Sequence, residues 1–117
     1  MINVSKSAET IQDGIKNMMA GAKEDYAQTM GRNDSAYTRQ KLENYESQIT
    51  VREGKKYTKV IYDRSVFAFI VKEDFKHFKK GDVLKPAGWA APALNQPRGN
   101  VLTGNYPIQW TGPLYLN

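Results

Sequence analysis

The second half of the chain concentrates the residue types that hold a polyanion. Lys55, Lys56, Lys59, Arg64, Lys76, Lys79, Lys80, Lys85 and Arg98 carry positive charge, with Tyr57, Tyr62, Trp89 and Trp110 interleaved as flat rings. Single-stranded nucleic acid needs both: cations meet phosphates, and aromatic faces stack on unpaired bases. The predicted binding set is Lys55, Lys56, Tyr57, Lys59, Arg64, Lys76, Lys79, Lys80, Lys85, Trp89 and Arg98. Arg98 precedes Gly99 in a loop, where a guanidinium can reach a phosphate or a base edge. The plainer reading is a solvated lysine-rich face, with Tyr62 and one of the tryptophans in the core.

Catalytic chemistry has less to stand on. His77 is the single histidine. A triad needs it beside a nucleophile, and common zinc sites need more soft ligands than this chain has. Asp63, Glu73, Asp74 and Asp82 lie close in sequence, but each has basic neighbours. Turn formation and charge balance account for them, and Glu73-Asp74 reads as a loop cap. No metal or cofactor is expected. Gly54 and Gly81 stand alone, without the spacing of a phosphate-binding loop. A helix-turn-helix would need a basic recognition helix, and the second helical segment carries little positive charge.

Composition agrees with a binding role. The 117 residues suit one domain, with 40% hydrophobic and 25% charged residues, as in globular proteins. The net charge of +5 is unevenly placed. Residues 1–50 carry six basic and seven acidic side chains, and residues 51–117 carry eleven and five. There is no cysteine, which excludes a disulfide framework and fits a reducing compartment. No apolar run approaches the roughly 18 residues that span a bilayer, and Met1–Ser5 lacks a signal-peptide pattern. No membrane partner is expected.

The elements that position these residues follow from periodicity. Ile11, Ile15, Met18, Ala22 and Tyr26 recur at spacings of three and four, predicting a helix from Ser7 to about Met30 with Ser7 as N-cap and Glu9 in its first turn. Gly14 and Gly21 weaken that helix, and they also permit close approach of another backbone. Gly31–Ser35 reads as a turn, with Asp34 capping a second helix from Ser35 to about Gln48. The second helix is predicted to cover one side of a small core or to pair with the first as an antiparallel hairpin, the alternative being that both form a dimerisation arm. Ile49–Arg52 is a short strand, and Glu53–Lys56 turns into Tyr57–Tyr62, which places Tyr57, Lys59 and Ile61 on one face. Asp63-Arg64 is a two-residue break before Ser65–Val71, where alternation sets Ser65, Phe67, Phe69 and Val71 against Val66, Ala68 and Ile70. Lys72–Lys80 reads as a loop or one helical turn burying Phe75 and Phe78, followed by a short strand at Val83–Lys85. Pro86 and Pro92 exclude a central strand between them. Asn100–Leu102 is predicted as a short extended piece, and the aromatic tail is predicted to pack back on the sheet.

Ser65–Ile70, Lys79–Trp89, Ala91–Ala93 and Arg98–Val101 together resemble a group of small uncharacterised proteins of tailed bacteriophages, over about residues 52–110. The resemblance brings no activity. It implies the cytoplasm of an infected bacterial cell, and either a nucleic-acid accessory protein or a virion or host-interaction protein.

The sequence thus predicts one α+β domain. An N-terminal helical pair (7–48) packs on a small, mostly antiparallel sheet within a β-rich part (49–117), closed by an irregular proline- and glycine-rich segment. The function predicted first is non-enzymatic binding of single-stranded DNA or RNA, favoured over duplex. The alternative is a phage structural or host-protein interaction module, for which the N-terminal helix could build a homo-oligomer. A small phage enzyme ranks last.

Overall fold

The apolar stripe of the N-terminal segment decides where its helix lies, and a threonine decides where it begins. The structure is a computed structural model that describes residues 1–30 and 35–115. Strand β1 (Ile2–Val4) comes first, then helix α1 (Ile11–Met30). All five predicted stripe residues, Ile11, Ile15, Met18, Ala22 and Tyr26, are buried. The start differs from the predicted Ser7. The Thr10 hydroxyl accepts from the Asp13 N–H at 3.1 Å and caps the helix, so Ser7 and Glu9 precede it. The Ala8 N–H is committed elsewhere, donating to the Leu102 carbonyl at 2.9 Å.

The two glycines of α1 mark close packing. A Cβ on Gly14 would lie 2.6 Å from the Val101 carbonyl oxygen, and one on Gly21 would lie 2.9 Å from the Val4 side chain. These contacts bring the helix onto the ends of the chain. β1 pairs antiparallel with β6 (Tyr106–Ile108), in the register Ile2↔Ile108 to Val4↔Tyr106, and both strands pack on α1. The tail packs back on the main sheet as predicted, with Gly112 against the Phe67 carbonyl of the sheet, Tyr106 and Ile108 in its core and Trp110 packed on that core, but Tyr106–Ile108 also forms this separate two-stranded ribbon. Asp25, buried in α1, accepts from the Met1 amino group and from the Trp110 N–H, the latter at 2.9 Å.

Helix α2 (Ala36–Glu43) is shorter than predicted, and its N-cap is Ser35, whose hydroxyl accepts from the Thr38 N–H at 3.1 Å. The cap predicted at Asp34 lies outside the described residues. A 3-10 turn at Glu46–Gln48 then leads into β2 (Ile49–Glu53). The main sheet continues with β3 (Tyr57–Tyr62), β4 (Ser65–Val71) and β5 (Val83–Leu84), all antiparallel in the order β2-β3-β4-β5. The architecture is α+β, with the helices N-terminal to the four-stranded sheet. The two-residue Asp63-Arg64 turn closes the β3–β4 hairpin with Asp63 at φ 57°, a conformation that aspartate tolerates better than most residues. The piece predicted as extended at Asn100–Leu102 makes only an isolated bridge, Asp82↔Asn100.

Strand β4 is covered on both sides, but its faces are not those of simple alternation. Val60 pairs with Ala68 while Ile61 pairs with Val66, so Phe67 is an extra, unpaired residue in a β-bulge. The bulge shifts parity by one. Phe67 joins Ala68 and Ile70 in the main core under α1, whereas Val66 joins Phe69 and Val71 in a second cluster with Phe78, Leu84, Tyr57 and Phe75. The predicted grouping of Phe67 with Phe69 and Val71 is overturned for that reason.

Candidate nucleic-acid interface

The second cluster has an open side, and the basic residues gather there. In the β2–β3 register Arg52 is directly opposite Lys59, so both side chains leave the sheet on the face away from α1. The loop between Pro86 and Pro92 carries Trp89 over them. This loop is held by the Pro86↔Pro92 bridge and by Ala87 and Gly88 N–H groups donating to Ala91 O. Lys59 Nζ lies 4.5 Å from the centre of the Trp89 ring and Arg52 Cζ 5.9 Å from it. Lys59 Nζ is also 5.6 Å from the Phe69 ring. Trp89 remains 51% exposed.

The β2–β3 turn adds Lys55 and Lys56. Both are exposed, and Lys56 Nζ lies 5.3 Å from the ring centre of Phe75. Tyr57 packs edge-on against Phe69 and Phe75, at 5.8 and 6.0 Å between centroids. Burial holds its phenol above the ordinary range, so it stays neutral. Between these groups lies a depression of about 330 Å³, lined by Arg52, Lys55, Lys56, Tyr57, Lys59, Phe69 and Ala90 among others. Glu53 also borders it, but this carboxylate is spoken for. Its hydrogen bond with Lys72 Nζ at 3.0 Å holds it below the ordinary carboxylate range, and Thr58 donates to it as well.

The 72–82 loop reaches the same end of the sheet. Lys72 N–H donates to Lys56 O and Lys72 Nζ to Gly54 O, both at 3.0 Å. Phe75 and Phe78 form reciprocal backbone hydrogen bonds around Lys76 and His77, with Lys76 at φ 51°, so of the two predicted forms the segment takes the loop, closed by a tight turn, and not the helical turn. Phe78 is buried and Phe75 half-buried. Lys76, Lys79 and Lys80 are exposed on this loop, and Lys79 lies 3.8 Å from the Asp74 carboxylate. Asp74 also accepts from the Lys80 N–H at 2.7 Å, the capping role predicted for that pair. His77 Nε2 donates to Asn95 O at 2.8 Å, tying the loop to the C-terminal segment.

Other predicted residues lie apart. Arg64 occupies the β3–β4 turn, at the far end of a six-residue strand from Lys55 and Lys56, about 20 Å away. Lys85 donates to Pro113 O at 2.8 Å and sits 4.0 Å from the Tyr115 ring; burial and the neighbouring Arg98 lower its pKa. Arg98 is half-buried and donates to Asn95 Oδ1 at 2.9 Å and Gln96 O at 3.0 Å, with its pKa lowered by burial. Both serve the packing of the C-terminal segment. Tyr62 and Trp110 pack on the main core, where Lys41 Nζ lies 5.7 and 5.4 Å from their rings.

The structure therefore brings together Lys55, Lys56, Tyr57, Lys59 and Trp89, with Lys76 adjoining through Phe75. It adds Arg52, Phe69 and Phe75, which the sequence pattern does not place at the site. Arg52 is within reach of sequence reasoning, because the turn at Glu53–Lys56 sets it opposite Lys59. Trp89 over β3 is not, since nothing local fixes where a loop between two prolines folds.

No match was found among curated proteins or solved structures. One family matches, over residues 2–116, and its description is a family of unknown function (DUF7717). The match takes in the α1–ribbon packing and the basic, aromatic sheet face alike, and the chain belongs to that family.

Proposed function

We propose that the face formed by Arg52, Lys55, Lys56, Tyr57, Lys59 and Trp89 binds single-stranded nucleic acid without catalysing a reaction. The observation that carries this reading is the half-exposed Trp89 indole above two directly opposed cations. A flat ring at the centre of a cationic sheet face offers a stacking surface to a base and phosphate contacts beside it. Bases stacked in a duplex would not present their faces to Trp89, which favours single strands. The likeness of residues 52–110 to small bacteriophage proteins supports an infected bacterial cell as the setting. Among the described residues, no helix is long and apolar enough to cross a membrane.

The test is a fluorescence-anisotropy titration of labelled single-stranded DNA and RNA, with a duplex control, at two salt concentrations. The expected result is binding at about micromolar concentration that weakens steeply with salt, with the duplex weaker. Folded protein that binds neither single strand at low salt would overturn the proposal.

A further inference from the structure

The two edges of the main sheet are treated differently. At β5, Val83 N–H donates to Gly99 O and Arg98 N–H to Val83 O, both at 2.8 Å, so the 98–100 segment closes that edge. At β2, the one described backbone bond on the outer side is local: the Ile49 N–H donates to Glu46 O of the preceding 3-10 turn. The flanking bonds show which groups are left there. Asp63 N–H donates to Gln48 O and Gly54 N–H to Tyr57 O, both at 2.8 Å. With the register Ile49↔Tyr62 to Glu53↔Thr58, Thr50 and Arg52 then bond inward to β3. Val51 and Glu53 turn their N–H and C=O groups outward, and Ile49 its C=O, its N–H being taken by Glu46 O.

An apolar groove runs beside this open edge, independently of the backbone argument. Its volume is about 500 Å³, and its walls include Ile15 and Met19 of α1, Tyr45, and Ile49 and Val51 of β2 itself. Val51 is 41% exposed although it faces the helix side of the sheet. Helix α1 thus overhangs space where a further strand would lie.

Charge selects the occupant. The acidic groups near the groove are already compensated: Glu46 by Lys23 at 2.7 Å and Glu53 by Lys72 at 3.0 Å. Lys16, on the groove wall, forms no ion pair among the described residues. A second copy of this chain, which carries a net charge of +5, would bring a second Lys16 and Arg52 to the same edge. We propose that an extended acidic segment of a partner protein adds to β2 as a fifth strand, setting alternate apolar side chains into the groove and a carboxylate near Lys16. Main-chain bonds to the Ile49 C=O and to both groups of Val51 and Glu53 supply the affinity, and the groove supplies the selectivity.

The probe is a fluorescein-labelled peptide of about eight residues with leucine or valine at alternate positions, one position of that same groove-facing set replaced by glutamate to meet Lys16, and threonine at the positions between them. Anisotropy should show saturable binding. Lys16→Glu should weaken it about three- to fivefold. Val51→Pro removes one outward N–H without touching the β3 ladder and should weaken it about tenfold. Circular dichroism checks that both variants fold. Should Val51→Pro fail to fold, backbone N-methylation of the peptide at alternate residues serves the same purpose on the intact protein, and loss of binding is again expected. The proposal is overturned by absence of binding up to about 1 mM peptide, or by equal binding when lysine replaces the groove-facing glutamate. It is also overturned by a sedimenting dimer that Val51→Pro dissociates, which would make the occupant a second copy. None of these readouts depends on the nucleic-acid face, which lies on the opposite side of the sheet.

Discussion

Arg52 and Lys59 stand directly opposite one another on neighbouring antiparallel strands, and the Trp89 indole lies over both. Like charges in that position repel and destabilise a sheet. The negative face of an indole offsets part of this repulsion, at about 0.5–1 kcal/mol for an exposed cation–π contact. The pair keeps its positive potential, and a ring of matching size is fixed beside it.

Trp89→Ala should therefore act on binding more than on folding. Loss of a stacking aromatic weakens single-strand binding by about 1–3 kcal/mol. Trp89 is half exposed, so the unfolding midpoint should move little. Anisotropy and a urea titration of the same variant separate the two effects. A large drop in stability with unchanged binding would make the indole a purely structural clasp.

The lysines of the β2–β3 turn should be visible in salt dependence. Replacing Lys55 and Lys56 with alanine should lower the slope of log affinity against log salt by about 0.7 for each phosphate left without its lysine. Arg64→Ala, at the far end of β3, should leave that slope unchanged. Equal effects from both ends would mean a diffuse electrostatic attraction and no defined face.

Gly14→Ala should destabilise the protein, against the usual helix preference. Its Cβ would meet Val101 at 2.6 Å, at both the carbonyl oxygen and the Cβ. Overpacking of this kind costs about 1–3 kcal/mol, more than the gain of roughly 1 kcal/mol from alanine propensity. Urea unfolding measures the difference, and a stabilised variant would show that α1 does not sit this close.

Asp25→Ala tests the tie between α1 and the C-terminal segment. The carboxylate is buried and accepts from the Trp110 N–H at 2.9 Å. Leaving that donor without a partner costs about 1–3 kcal/mol. Because Trp110 packs edge-on against Tyr26, its emission should shift as the packing loosens. An unchanged spectrum and stability would remove Asp25 from this role.

Stability should decline in alkali. Burial, reinforced by Tyr62, raises the Tyr45 phenol above the ordinary range, and burial raises that of Tyr106. An unfolded tyrosine loses its proton near pH 10. The stabilisation from each buried phenol is thus complete below that pH and is lost as pH rises towards the folded value, at about 1.4 kcal/mol per pH unit. Tyr45 also has a hydroxyl with no hydrogen-bond partner among the described residues. Tyr45→Phe should therefore stabilise the protein at neutral pH and flatten the alkaline decline, as followed by thermal unfolding across pH 8–11. An unaltered pH profile would contradict the burial argument.

What the sequence reveals and what it hides divide by range of interaction. The α1 stripe is legible because all its information lies within one helix, and β3 and β4 are legible because a two-residue turn joins them. β1 is invisible: Ile2–Val4 is three residues long, and its pairing partner lies at Tyr106–Ile108. Of the predicted binding set, Lys55 to Lys59 are brought onto one face because a single hairpin carries them. Lys85 and Arg98 are held apart, hydrogen-bonded within a C-terminal segment whose path no local pattern specifies.

The bulge at Phe67 gives β4 two reading frames. Ser65 and Val66 follow one parity and Ala68 to Val71 the other, with a single residue as the point of change. Length and side chain are separable at this point. A smaller residue at 67 leaves a hole in the main core, whereas deletion of 67 would join Val66 directly to Ala68 and restore simple alternation with Val66 still opposite Ile61. It would keep the Asp63-Arg64 turn in phase with β3 while removing the Phe67 ring from under α1.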